Sequence, residues 1–240
     1  MNFSTGNSGN LLRASVTKTG DGCVQEGSYC QYLGKDVCPE IYGFVDNGYV
    51  MEALQPSPRY PRLLRDIEEL LKAKVWSRPA LPISNDEGWR NALKKFGVEV
   101  PSWLPVSIPC LCHGDPTASN ALIREHPIET VEHLDGTKHL CMHDQLIMGD
   151  PRPPRDFIPQ CRETDMGRIL QSHYGWEEIA YGEQHVDFLT PDFTYSDEVM
   201  GMAMFWCGAA VARIEYLERS RANRRKILDW CLEVRGICNV

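Results

Sequence analysis

Hydrophobic positions change their period along the chain, and the changes divide it into segments. Leu11 to Lys18 and Tyr42 to Leu54 carry the β-rich character of strands. Between them Val24 to Leu33 reads as a short helix that Cys38-Pro39 interrupts. Gln55-Pro56-Ser57-Pro58 punctuates the chain sharply. From Tyr60 the pattern turns helical, with Leu63, Leu64, Ile67, Leu70 and Leu71 at spacings of three and four and charges between them. Asn85-Asp86-Glu87 reads as a helix start ahead of Trp89, Leu93 and Phe96, with Gly97 as its end. Ile108 to Asp115 and Ala121 to Arg124 form two short extended pieces around a loop, and Val131 to Asp150 has strand-like stretches on either side of Gly136. Asp165 to Tyr174 and Ser196 to Arg235 read as helices, the last long enough to be two, with a break near Asn223. The outline is α+β: a small sheet-bearing lobe over 1–55, a Pro-marked hinge, and a larger helical lobe over 56–240.

Composition narrows the class without naming it. At 240 residues, 42% hydrophobic and 24% charged, the chain can bury a core of ordinary size. A formal charge of −8 argues against a partner gripped through its phosphate backbone, since such affinity rests on a basic field. No basic stretch leading into an apolar run opens the chain, and the most apolar stretch, Val199 to Val211, is too short to span a bilayer. The ten cysteines lack the density of a disulfide scaffold and are read as reduced thiols, which places the protein in the cytoplasm and off the membrane.

The densest chemistry lies in His113-Gly114-Asp115-Pro116-Thr117-Ala118-Ser119-Asn120, followed at once by Ala121-Leu122-Ile123. Phosphoryl transfer asks little covalent work of a protein. It needs a carboxylate beside the attacking hydroxyl and hard oxygen ligands for magnesium on the phosphates. An Asp and an Asn five apart on one loop supply one of each. A second carboxylate is needed for the metal, and Asp150 follows the apolar run Leu146-Ile147-Met148, where a rigid strand would present it.

At these residues the chain resembles the kinase-like small-molecule phosphotransferases, the aminoglycoside phosphotransferase and choline kinase group. His113 to Asn120 fits that family's H-G-D-x-x-x-x-N loop at every fixed position. Ile147 to Pro151 resembles its apolar strand ending in I-D-P, with Gly149 before the Asp. Asp165-Met166-Gly167-Arg168 resembles its downstream Asp at a helix start. Tyr49 to Leu54 looks like the strand and hinge that line the adenine pocket.

The resemblance implies a bilobal protein-kinase-like fold with a reduced N-terminal sheet lobe. It implies an ATP- and magnesium-dependent phosphotransferase acting on a hydroxyl of a small molecule. Asp115 would be the catalytic base and His113 would orient the loop. Asn120 and Asp150 would ligate magnesium, and Asp165 would buttress the loop. Backbone at Glu52, Ala53 and Leu54 would take adenine. Lys18 would grip the nucleotide phosphates with Glu26 as its partner, under a short Ser4-to-Gly9 covering loop. The spacing between Asn120 and Asp150 implies an extra hairpin near Gly136. A protein acceptor is disfavoured by the short, Pro-rich interval from Asp150 to Asp165, and a catalytically silent kinase-fold module is the reading from another class.

Other patterns have plainer explanations. His139, Cys141 and His143 alternate on one strand face beside His133, but they lack paired zinc-ligand knuckles and read as a polar face. Cys110 and Cys112 read as small hydrophobes, Met200 to Trp206 as helix core, and Arg219 to Lys226 as a solvated basic face.

Overall fold

The computed structural model describes residues 14–81, 109–132, 138–154, 160–175, 177–178, 184 and 186–191, with backbone alone at 126–132 and 138–143. The predicted helices over 85–97 and 196–235, the Gly-rich start at 4–9, the Met200–Trp206 run and the Arg219–Lys226 cluster all lie outside the described residues. So do the side chains of His133, His139, Cys141 and His143.

The fold is mixed α+β, with two small antiparallel sheets and three α-helices among the described residues. The chain divides into two compact units. One joins Met1–Pro58 to Asn120–Asp150, and the other joins Arg59–Ser119 to Pro151–Val240. The sequence reading placed the boundary at 55 and assigned 120–150 to the larger lobe. The structure instead groups that segment with the N-terminal sheet.

In the first unit, β1 (Ser15–Thr19) and β2 (Ile41–Val45) flank β3 (Gly48–Glu52), with helix α1 (Cys23–Leu33) after β1. The strand character predicted over 42–54 resolves into a hairpin of β2 and β3. Asp46 and Asn47 form its tip, and Asn47 takes a left-handed φ of 59°. The Asn-Gly pair at 47–48 carries that signal, because Asn tolerates φ > 0 and Gly48 has room for no side chain; a Cβ there would lie 2.1 Å from the Lys18 carbonyl oxygen.

The second sheet runs β4 (Gln55–Pro56), β5 (Ala121–Glu132), β6 (Lys138–Met148). The β5–β6 hairpin pairs Ala121 with Met148 and Glu132 with Lys138, and its register shifts between Pro127 and Glu129, where a proline has no N–H to give the ladder. It is the hairpin that the spacing between Asn120 and Asp150 implied.

Three contacts explain why 120–150 joins the first unit. The Met148 N–H donates to the Val37 carbonyl at 2.7 Å, and the Ser57 N–H to Ala121 O at 2.8 Å. Arg124, buried on β5, donates through Nε to both Glu52 carboxylate oxygens at 2.9 Å and also binds the carbonyls of Lys35 and Cys38. A guanidinium taken this far from water is tolerable only with its donors filled, and here a carboxylate and two carbonyls fill them.

In the second unit, α2 (Leu63–Lys74) packs against α3 (Arg162–His173). Leu63, Leu64, Ile67 and Leu71 are fully buried on α2, as the spacing predicted, each burial stabilising by roughly 2 kcal/mol. Ile169 and Leu170 are their fully buried counterparts on α3. Helix α3 begins three residues earlier than predicted, because Arg162-Glu163-Thr164 carries no apolar periodicity to announce it. The six described cysteines (23, 30, 38, 110, 112 and 161) are buried free thiols. No helix among the described residues is long and apolar enough to cross a membrane.

Candidate phosphoryl-transfer residues in the two units

In the first unit, strand pairing and one helix bring together residues that lie far apart in sequence. Lys18 sits on β1, and its Nζ reaches Glu26 Oε1 of α1 at 2.7 Å and Asp150 Oδ1 at 2.8 Å. Burial disfavours the charged ammonium, but Asp150 and Glu26 outweigh that cost and raise its pKa. The cluster is open to solvent, with side chains 31% exposed at Lys18, 19% at Glu26 and 54% at Asp150.

Asp150 also takes a left-handed φ of 49°, uncommon outside glycine. Gly149 before it allows the close turn, since a Cβ there would lie 3.0 Å from a Leu122 methyl carbon. The Gly149 N–H donates to the Asn120 carbonyl at 2.7 Å. Asn120 precedes β5 and Asp150 follows β6, so both candidate metal ligands lie at the Ala121–Met148 end of one hairpin.

The proposed adenine strand differs from expectation. The Glu52 carboxylate is committed to Arg124, the Glu52 N–H donates to Glu40 O, and the Ala53 N–H donates to Ala14 O. Two of the three backbone donors expected to face a base therefore serve the fold.

In the second unit, the His113–Asp115 loop is held by α3. Asp165 Oδ2 accepts from the His113 N–H at 2.9 Å and from the Trp76 indole N–H at 2.9 Å, while Oδ1 accepts from the Gly114 N–H at 2.7 Å. Asp165 is fully buried, and desolvation raises its pKa to about 6 against the pull of these three donors. These bonds tie the His113–Gly114 backbone and the Trp76 indole to α3. Gly114 has φ 85°, and a Cβ there would lie 2.6 Å from the Arg152 carbonyl oxygen, so only glycine fits. His113 is fully buried, and its Nδ1 faces the Asp115 N–H at 3.4 Å.

Asp115 is 7% exposed and ion-paired on both oxygens, to Arg168 through Oδ1 at 2.5 Å and to Arg152 through Oδ2 at 2.9 Å. Burial opposes its ionisation, but the two guanidiniums prevail and hold its carboxyl below the usual range. Arg152 holds the loop a second way, its N–H donating to the His113 carbonyl at 2.9 Å. Neither arginine had been singled out by the motif. Arg168 lies three residues after Asp165 and so shares its helix face. Trp76 left no signal. Cys110, Cys112 and Cys161 pack beside this loop as buried thiols, and Cys112 Sγ meets the Cys161 carbonyl at 3.0 Å.

The donors fit a hard divalent cation better than a soft one. Asn120 and Asp150 offer amide and carboxylate oxygen, and the exposure of Asp150 suits an ion that keeps most of its water and phosphate ligands. Among the described residues no group of three or more His, Cys, Asp or Glu is arranged to hold a metal by itself. No protein-family model, no curated protein and no solved structure matches the chain.

Proposed function

We propose that the chain is an ATP- and magnesium-dependent phosphotransferase of bilobal kinase-like architecture, acting on a hydroxyl of a small molecule. One observation carries the reading. Lys18, Glu26 and Asp150, assigned phosphate-gripping and metal-binding roles across 132 residues of sequence, meet in one ion-paired cluster.

In this reading Lys18 binds nucleotide phosphate, and Asn120 and Asp150 would hold magnesium, whose contribution there would be to neutralise phosphate charge. Asp115 orients the acceptor hydroxyl and takes its proton as the oxygen forms its bond to the γ-phosphorus. The bond from that phosphorus to the bridging oxygen breaks, ADP leaves, and the proton passes from Asp115 to solvent. Because two arginines depress the pKa of Asp115, its larger contribution is orientation. A loose transition state, in which the hydroxyl keeps its proton until late, is consistent with a weak base.

The arginine clamp also favours a second reading, a silent binding module in which Asp115 serves only the fold. One measurement separates the two. In the enzyme reading, wild-type protein consumes ATP with magnesium in the presence of a hydroxylated metabolite. Asp115→Ala then lowers kcat at least about a thousandfold while nucleotide still raises Tm. Turnover at the wild-type rate in that variant, or no nucleotide effect on wild-type Tm, refutes the enzyme reading.

A further inference from the structure

Lys18 and Tyr49 are directly opposed in the β1–β3 ladder, so their side chains leave the sheet on the same face. Both donate to one atom. Glu26 Oε1 receives Lys18 Nζ at 2.7 Å and the Tyr49 hydroxyl at 2.6 Å. Tyr49 is fully buried, so its ring is immobile and its hydroxyl is held by packing.

The helix makes room for that ring. Gly27 follows Glu26 inside α1, where glycine costs about 1 kcal/mol against alanine, yet a Cβ there would lie 2.6 Å from Tyr49 Cδ1. Burial and Glu26 together raise the phenol's pKa, so it remains a donor across the physiological range.

We propose that Tyr49 is a positioning residue for the nucleotide-binding lysine, fixing the Glu26 carboxylate so that Glu26 in turn fixes Lys18. This rests on the phosphotransferase reading above for what Lys18 does, and it adds a residue that reading does not include. A buried tyrosine needs some acceptor, and any carbonyl would meet that need. Convergence on the same carboxylate oxygen as the cross-strand lysine is what couples it to the cluster. A glutamate restrained only by a part-exposed lysine would sample several rotamers, because long side chains lose about 1 to 2 kcal/mol of conformational entropy when held. A rigid phenol supplies the restraint from the buried side.

The test is a double-mutant cycle on the full chain with Tyr49→Phe, Glu26→Gln and both together, read as KM for ATP and kcat with magnesium. Tyr49→Phe keeps the ring and removes only the hydroxyl. It is expected to raise KM for ATP about tenfold, a larger factor than any change in kcat. In the Glu26→Gln background the same substitution is expected to change KM less than twofold, because the intermediary is already lost. A wild-type KM in Tyr49→Phe, or its full factor persisting on top of Glu26→Gln, overturns the inference and leaves the enzyme reading standing. Absence of magnesium-dependent ATP binding by wild-type protein overturns the enzyme reading, and this inference with it.

Discussion

The two units present their ionised groups under opposite conditions. In the first, Lys18, Glu26 and Asp150 form a partly open cluster in which each ion pair competes with water. In the second, Asp165 and Asp115 are withdrawn from solvent, and fixed amides, an indole and two guanidiniums satisfy them. Exposed pairs contribute little, about 0 to 1 kcal/mol, whereas removing one partner of a buried set leaves charges or donors stranded at several times that cost. The contrast suits the proposed division of labour. In that proposal the groups that would exchange partners for phosphate and metal are only weakly held, while the loop whose carboxylate would meet the acceptor is tightly held.

The largest stability effect is expected at Asp165. Asp165→Ala strands the N–H groups of His113 and Gly114 and the Trp76 indole, and should cost roughly 4 kcal/mol, lowering Tm by about 10 °C by calorimetry. Arg168→Ala follows at about 3 kcal/mol, because it removes one of the guanidiniums ion-paired to buried Asp115. Adding Asp115→Asn to Arg168→Ala should recover part of that loss, since the stranded charge disappears with it. If either single variant melts within 1 °C of wild type, the buried loop is not the rigid element this contrast requires.

How much of this was legible in the sequence follows the same division. The loop from His113 to Asn120 and the aspartates at 150 and 165 stand out as a motif, so the roles proposed for them come from a local pattern. Lys18 and Glu26 were paired only by resemblance, and the geometry places them in contact. The strand character over Tyr42 to Leu54 resolves into β2 and β3, and the turn between them is marked in the sequence by Asn47-Gly48. The arginines on Asp115 and the phenol on Glu26 were not foreseen. Their partners lie 23 to 53 residues away in the chain, and local periodicity says nothing about which buried donor meets which acceptor across such distances.

Acid should affect the two buried carboxylates differently. Asp115 is depressed by its arginines, so it stays ionised well into the acid range, and its stabilising contribution is lost only as pH falls through its lowered value. Asp165, raised to about 6, binds more protons folded than unfolded between about pH 4 and 6. Its own contribution to stability therefore declines as pH rises through that window, the reverse of Asp115. Protonation also removes one of the acceptor oxygens that hold the loop, so kcat should fall about tenfold per unit below a limb near pH 6. Residual kcat in Asp165→Asn should lack that limb. A limb that persists would show that Asp165 is not the group responsible for it.

The smallest effect on folding is expected at Asp150, and it sharpens the contrast most. Asp150→Asn removes a charge that is half exposed and ion-paired to a lysine that Glu26 also holds, so chemical denaturation should register a change within about 0.5 kcal/mol. The loss should appear instead in ligand linkage. In wild type, magnesium should increase the Tm shift produced by ATP, because a hard cation gains a protein carboxylate only in the native state. In Asp150→Asn the ATP shift with magnesium should collapse to the value seen with chelator. A fold weakened as much as by Asp165→Ala would mean that Asp150 is a structural anchor. An intact magnesium increment would mean that the ion is held elsewhere.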